Sequence, residues 1–269
     1  MSLSLSVDTG VAYLAFDHGK ANEMGRAELQ ALAVICDRLE AGEAQVLVSY
    51  SRRCSRKGTP IFIAGANVTE RAGWSRDEIA AHVRYQRGLL RRVRALPLFH
   101  VAVINGVALG WGTEFVLAAD YRIGCEASVY ALPETGLGIL PGAGGTAELW
   151  AQVGLPQALR LGMTGEKIGA QEACRIGLIQ EVLADVDAGL IRAKALSERV
   201  LRNSPTAVAA FKRAALAAVG ANDSERVEIE ASAYAHCLDS GEAAIGRTHF
   251  STIRAGESVP WGPLEIFEC

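Results

Sequence analysis

The stretch Ile104-Asn-Gly-Val-Ala-Leu-Gly-Trp-Gly-Thr-Glu114 decides the fold. It leaves the β-type run Val101 to Ile104, passes Gly106, Gly110 and Gly112, and enters a helical run from Thr113 to Ala119. Two further segments share this character. One is Ile61-Phe-Ile-Ala-Gly-Ala-Asn-Val68, a strand running into Gly65; the other is Leu132-Pro-Glu-Thr-Gly-Leu-Gly-Ile-Leu-Pro-Gly-Ala-Gly-Gly-Thr146. Glycine at such turns permits positive φ and lets backbone N–H groups approach a ligand, while a helix N-terminus adds its positive dipole end. One such segment reads as a tight turn. Three in one chain point to an anion or oxyanion site. The spacing of Gly106, Gly110 and Gly112 is GxxxGxG rather than GxGxxG, and no lysine follows the glycines of 142–146, so neither a dinucleotide fingerprint nor a P-loop is present.

Outward from these segments, apolar runs at 11–16, 45–50, 61–63 and 101–104 alternate with helical patterns at 26–39 and 75–96, which predicts an α/β fold. Ser75-Arg-Asp-Glu78 reads as a capping box. Beyond about residue 143 strand signals nearly vanish. Helices are expected at 169–177, 187–203, 205–218 and 223–238, with proline opening the third of these. The layout is a core over 1–200 and a helical region over 201–269, without sequence repeats or a flexible linker.

Composition narrows the function. A chain of 269 residues, 50% hydrophobic and 21% charged, can bury a large core. Its formal charge of −3 supplies no field for nucleic acid or anionic lipid. The amino-terminal segment Met1 to Asp8 has no basic cluster followed by a long apolar run. Nor does any stretch reach the roughly 18 apolar residues of a membrane span, so a cytoplasmic protein is expected. The six cysteines, Cys36, Cys54, Cys125, Cys174, Cys237 and Cys269, form no ligand pattern, which predicts reduced thiols and no metal. Glu114 and Glu134 lie 20 positions apart, so any pairing between them is tertiary. Two close carboxylates raise each other's proton affinity, which lets one act as acid while the other acts as base.

In combination, these segments resemble the enoyl-CoA hydratase/isomerase (crotonase) superfamily. The resemblance runs from about residue 8 to 255 and includes Met163-Thr-Gly-Glu-Lys-Ile-Gly-Ala-Gln-Glu-Ala-Cys-Arg-Ile-Gly-Leu-Ile179 and Ser204-Pro-Thr-Ala-Val-Ala-Ala-Phe-Lys212. It implies a spiral of β-β-α turns with a C-terminal helical trimerisation region, and a homotrimer or homohexamer. It also implies an acyl-CoA thioester substrate, no cofactor beyond the coenzyme A of that substrate, and a place in fatty acid metabolism. The family's oxyanion hole of two backbone N–H groups falls on Ala66 and Trp111. Ala64, Gly65, Asn67, Gly110, Gly142 and Lys20 are the matching substrate or CoA-binding positions, and the hydratase glutamates match Glu114 and Glu134. The implied reaction is addition of water across the 2,3 double bond, with Glu114 activating the water and Glu134 supplying the proton to C2. Another crotonase reaction (isomerisation, C–C cleavage or decarboxylation) and a non-catalytic acyl-CoA-binding role are the alternatives. A Trp111 backbone turned away from Ala66 would favour the last.

Three positions depart from the family pattern: Trp111 in place of the usual glycine, Phe99 in place of a proline, and Asn67 in place of the more common aspartate. Trp111 resists positive φ, and its ring is expected to wall the acyl pocket or pack in the core. The basic loop Arg52, Arg53, Arg56 and Lys57 reads either as a phosphate contact for CoA or as a solvated loop. His18, His82, His100, His236 and His249 match no family role and are expected at the surface or satisfied in the core.

Overall fold

The computed structural model describes residues 3–267; Met1, Ser2, Glu268 and Cys269 lie outside them. The chain opens with β1 (Leu3–Asp8), β2 (Val11–Phe16), α1 (Arg26–Glu40), β3 (Val46–Ser51), β4 (Ile61–Ile63) and α2 (Arg76–Ala95). It continues with β5 (Phe99–Ile104), β6 (Val107–Leu109), α3 (Trp111–Leu117), β7 (Tyr121–Cys125), β8 (Val129–Ala131), α4 (Gly145–Val153) and α5 (Leu155–Thr164). Then come β9 (Ile168–Gly169), α6 (Ala170–Arg175), β10 (Glu181–Leu183), α7 (Val186–Val200), α8 (Pro205–Ala217), α9 (Asp223–Asp239), α10 (Glu242–Thr248) and α11 (Phe250–Arg254). Short 3-10 turns occupy Thr69–Arg71 and Pro133–Leu137.

Successive turns of chain lay one strand in each of two sheets. The first sheet runs β1-β2-β3-β5-β7-β10 and the second β4-β6-β8-β9. The pairings β2/β3, β3/β5, β5/β7 and β7/β10 are parallel, as are β4/β6 and β6/β8. Each β-β-α turn therefore stacks on the one before it, the spiral that the family resemblance implies. No sequence repeat announces it.

Both faces of the first sheet are buried, which is why its strands read as nearly continuous apolar runs. One face carries Val46, Val48, Val101, Val103 and Ile123 against α7. The other carries Leu14, Phe16, Leu47, Ala102 and Ile104, which pack with Phe62 and Phe115 in the larger core. Phe16 meets Phe62 and Phe115 edge-on, at 5.7 and 5.2 Å between ring centres, a geometry worth about 0.5–1.5 kcal/mol beyond area burial.

The glycines of the opening stretch earn their places by close approach. A Cβ at Gly106 would lie 2.1 Å from the Pro60 carbonyl oxygen, and one at Gly112 would lie 2.1 Å from that of Ile63. The turn β5-β6-α3 can press against β4 only without those side chains.

Helix ends follow the sequence signals closely. Ser75 and Glu78 form the reciprocal capping box that starts α2. Asp185 caps α7, Ser204 caps α8, and Asn222 with Glu225 caps α9. The expectation that strands end near residue 143 is corrected by β9 and β10, which have 2 and 3 residues and so too little length for a periodic signal.

Lys212 ties the C-terminal helices to the core. Its Nζ lies 2.7 Å from Asp120 Oδ2 and donates to the Leu98 carbonyl at 3.0 Å, while the same Asp120 oxygen accepts the His100 N–H at 2.8 Å. His100 is fully buried, with Nε2 2.8 Å from Ser49 Oγ, and burial together with the Lys212 charge brings its pKa down to about 3. Among the described residues no helix is long and apolar enough to cross a membrane. Lys212→Met leaves Asp120 buried without its cation, and chemical denaturation should show a loss of about 3–5 kcal/mol, most of it recovered when Asp120→Asn is added.

Candidate active site

Segment 61–67 lies beside residues 21–24. Ala64 N–H donates to the Ala21 carbonyl at 3.0 Å, Met24 N–H to Gly65 at 2.9 Å, and Asn67 N–H to Met24 at 2.9 Å. Backbone groups alternate in direction along such a ladder, so with the Gly65 carbonyl and Asn67 N–H turned to Met24, the Ala66 N–H faces the other way. Gly65 allows the bend with φ +125°. Asn22 supports it from below, its buried amide donating to the Phe62 carbonyl at 2.8 Å and the Ser51 hydroxyl at 3.1 Å.

At the start of α3 the positive φ falls on Gly110, at +51°, leaving Trp111 as the first helical residue. The departure at 111 is thus accommodated without strain on the tryptophan. Gly110 N–H donates to Ala131, and Thr113 Oγ1 to Ala108 and Ala131. The first helical bond runs from Glu114 N–H to Gly110, so the Trp111 N–H is one of the donors that a helix start leaves free. Among the described residues neither Ala66 N–H nor Trp111 N–H is committed within the chain.

Both residues line one cavity of about 230 Å³ together with Ala64, Gly65, Gly110, Glu114, Glu134 and Gly142. Eight of the ten predicted site residues are brought together in this way. Asn67 stays outside the lining, with Oδ1 accepting from Thr69 Oγ1 at 2.6 Å, and Lys20 is exposed in the turn before Asn22. The basic loop is also outside: Arg52 pairs with Asp187 at 2.5 Å and Arg53 with Asp17 at 2.7 Å. The Trp111 ring meets both expectations, since it lines the cavity yet is 2% exposed and stacks on Phe115 at 5.7 Å.

The two glutamates occupy unlike environments. Glu114 is buried, and its Oε1 accepts the N–H groups of Ala143 at 2.7 Å and Gly145 at 2.9 Å. Burial raises its carboxyl pKa against the pull of those donors and of the Arg87 charge. Glu134 sits in the 3-10 turn with Oε2 buried and unpartnered. Burial, with the nearby Glu114 charge adding to it, raises its pKa to about 7. Gly110 makes room for it, because a Cβ there would come 2.6 Å from Glu134 Oε1. This is a coupled pair in which Glu114 has two loop N–H donors while Glu134 Oε2 has none.

Sequence reasoning did not find Ala143 and Gly145 as the donors to Glu114, although their glycine-rich stretch was the available signal. It also passed over the 3-10 turn and α2, which add Val68, Arg71, Val83 and Gln86 to the lining. A second cavity, about 440 Å³, shares Glu114, Leu140, Gly142 and Ala143 with the first and is lined by Arg87, Arg91 and Arg94.

The family model described as Enoyl-CoA hydratase/isomerase matches residues 56–255. The human Enoyl-CoA hydratase domain-containing protein 2, mitochondrial, is 34% identical over 202 residues, which are 74% of this chain and 69% of that protein. The Short-chain-enoyl-CoA hydratase of Clostridium acetobutylicum is 31% identical over 193 residues, 72% of this chain and 74% of that one. The crystal structure of an enoyl-CoA hydratase from Bacillus anthracis superposes with a TM-score of 0.88 at 30% identity, covering 97% of this chain and 99% of that chain. By the match over residues 56–255 and by these relatives, the chain belongs to the enoyl-CoA hydratase/isomerase (crotonase) family.

Proposed function

We propose that the protein is an enoyl-CoA hydratase, adding water reversibly across the 2,3 double bond of an acyl-CoA thioester. The observation that carries this reading is the pair of coupled carboxyl groups, Glu114 and Glu134, in one cavity with two uncommitted backbone N–H groups. The Ala66 and Trp111 N–H groups receive the thioester oxygen, on which negative charge builds as the nucleophile attacks C3. One such donor is worth about 3–4 kcal/mol of barrier. Glu114, its Oε1 fixed by Ala143 and Gly145, orients a water and takes its proton as the water oxygen bonds to C3. Glu134, held protonated near neutrality, gives its proton to C2 as the enolate collapses. Product formation leaves Glu114 protonated and Glu134 ionised, and exchange with solvent restores the starting state. In dehydration the roles reverse.

Apolar side chains exposed on the C-terminal helices support self-association through the 201–269 region. Phe211, Val227 and Tyr234 are 77%, 63% and 70% exposed on α8 and α9. Phe211 and Tyr234 line one groove between α8 and α9, and contiguous apolar surface of this kind marks contact sites. A trimer, or a hexamer of two trimers, is the expected assembly, and sedimentation should find a mass of at least three chains that Phe211→Glu reduces.

Glu114→Gln and Glu134→Gln should each lower turnover of crotonyl-CoA by about 10²- to 10⁴-fold while binding of a saturated CoA ester persists; unchanged turnover would sink the two-glutamate mechanism. Hydration needs the protonated form of Glu134, so its kcat/KM should fall as pH rises through about 7. Dehydration needs the ionised form and should gain over the same interval.

A further inference from the structure

Opposite chemistry meets in the catalytic cavity. Besides the glutamates and apolar Val68, Val83, Leu137 and Ile139, its lining holds Arg71 from the 3-10 turn and Gln86 from α2. Gln86 is 3% exposed and its Nε2 donates to nothing among the described residues. Arg71 is half-buried; its Nη2 reaches Gln86 Oε1 at 3.4 Å, and its Nε is buried without an acceptor. No carboxylate forms an ion pair with Arg71 among the described residues. Its neighbour Glu70 has Oε1 engaged by the Arg26 N–H at 2.9 Å.

Burying a guanidinium and an amide beside a cavity with donors unused costs free energy unless a ligand supplies acceptors. A pocket made only for a hydrocarbon chain would not carry them. Arg71 and Gln86 line the same cavity as Glu114 and Glu134. A guanidinium with a neighbouring amide is the donor set that suits a carboxylate. The cavity, about 230 Å³, adjoins the 440 Å³ cavity through Glu114, Leu140, Gly142 and Ala143.

We propose that the acyl group of the substrate ends in a carboxylate, received by Arg71 and Gln86 within the cavity that also holds Glu114 and Glu134. The substrate class is a 2-enoyl-CoA derived from a dicarboxylic acid. This specificity rests on the acyl-CoA hydratase reading of the site, and its test separates the two.

The test compares glutaconyl-CoA with 2-pentenoyl-CoA, esters of equal chain length that end in a carboxylate and a methyl group. The wild-type protein should prefer glutaconyl-CoA in kcat/KM by about 100-fold or more, and Arg71→Leu should bring the ratio near one, because a site built to pair with a polar group strongly rejects the analogue lacking it. Arg71→Lys should retain part of the preference. In parallel, calorimetry compares binding of the unreactive esters glutaryl-CoA and pentanoyl-CoA. Tighter binding of glutaryl-CoA, lost in Arg71→Leu, supports the carboxylate subsite even if neither enoyl ester gains water, in which case only the hydration reading falls. Equal binding of the two saturated esters by the wild-type protein overturns the proposal. So does an Arg71→Leu effect equal for both esters, which would assign Arg71 to the CoA portion or to folding of the turn.

Discussion

A single buried carboxylate organises the centre of the molecule. Glu114 on α3 accepts backbone N–H groups from Ala143 and Gly145, at the start of α4. A carboxylate buried without such donors would be strongly disfavoured, and each charged hydrogen bond offsets part of its lost hydration. The same contact brings the β6-α3 turn against the 141–145 loop. That loop is held from the other side by Arg87, whose Nε donates to the Gly142 carbonyl at 2.8 Å. Glycine at 145 follows from crowding on both sides, since a Cβ there would come 2.7 Å from Pro141 Cβ and 3.3 Å from Glu114 Oε1. Packing of consecutive spiral turns and construction of the reactive cavity are therefore one event.

From that constraint the inequality of the two glutamates follows. Ala143 and Gly145 are spent on Glu114, and the 3-10 turn carrying Glu134 offers its Oε2 no donor. Desolvation then raises the Glu134 pKa against the pull of its own backbone N–H, and the charge on Glu114 adds to the rise. Two chemically identical side chains come to differ in environment because one accepts the Ala143 and Gly145 N–H groups and the other sits against the missing Cβ of Gly110.

Much of this was legible along the chain, for reasons that differ by element. The 11–16 and 101–104 strands show because burial on both sides makes them apolar, and α2, α7, α8 and α9 show because their caps are written locally. The three glycine segments pointed to the cavity because close approach and positive φ demand glycine wherever they occur. Strands β6, β8, β9 and β10 have 2 or 3 residues and exist only because a neighbouring turn pairs with them, so no local pattern could declare them. Lys212 was visible as part of a motif, but its partner Asp120 lies 92 positions away and could not be read from spacing. Arg71 and Gln86 carried no signal at all, since a charged or amide residue on an amphipathic helix and its preceding turn ordinarily faces water.

The cavity divides its labour between backbone and side chain. In the proposed hydration, the groups that hold charge are main-chain N–H groups of Ala66, Trp111, Ala143 and Gly145, with only the two glutamates acting through side chains. A backbone donor survives substitution of its own residue as long as the local conformation survives, and at Trp111 it does because Gly110 absorbs the unusual φ. Elsewhere the cavity wall includes side chains from the 69–71 turn and α2, where exchanging one residue alters volume, charge and hydrogen bonding at once. The fold can therefore keep its reaction chemistry nearly constant while α2 and the turn before it vary what is accepted. The unused donors of Arg71 and Gln86 fall among those side chains.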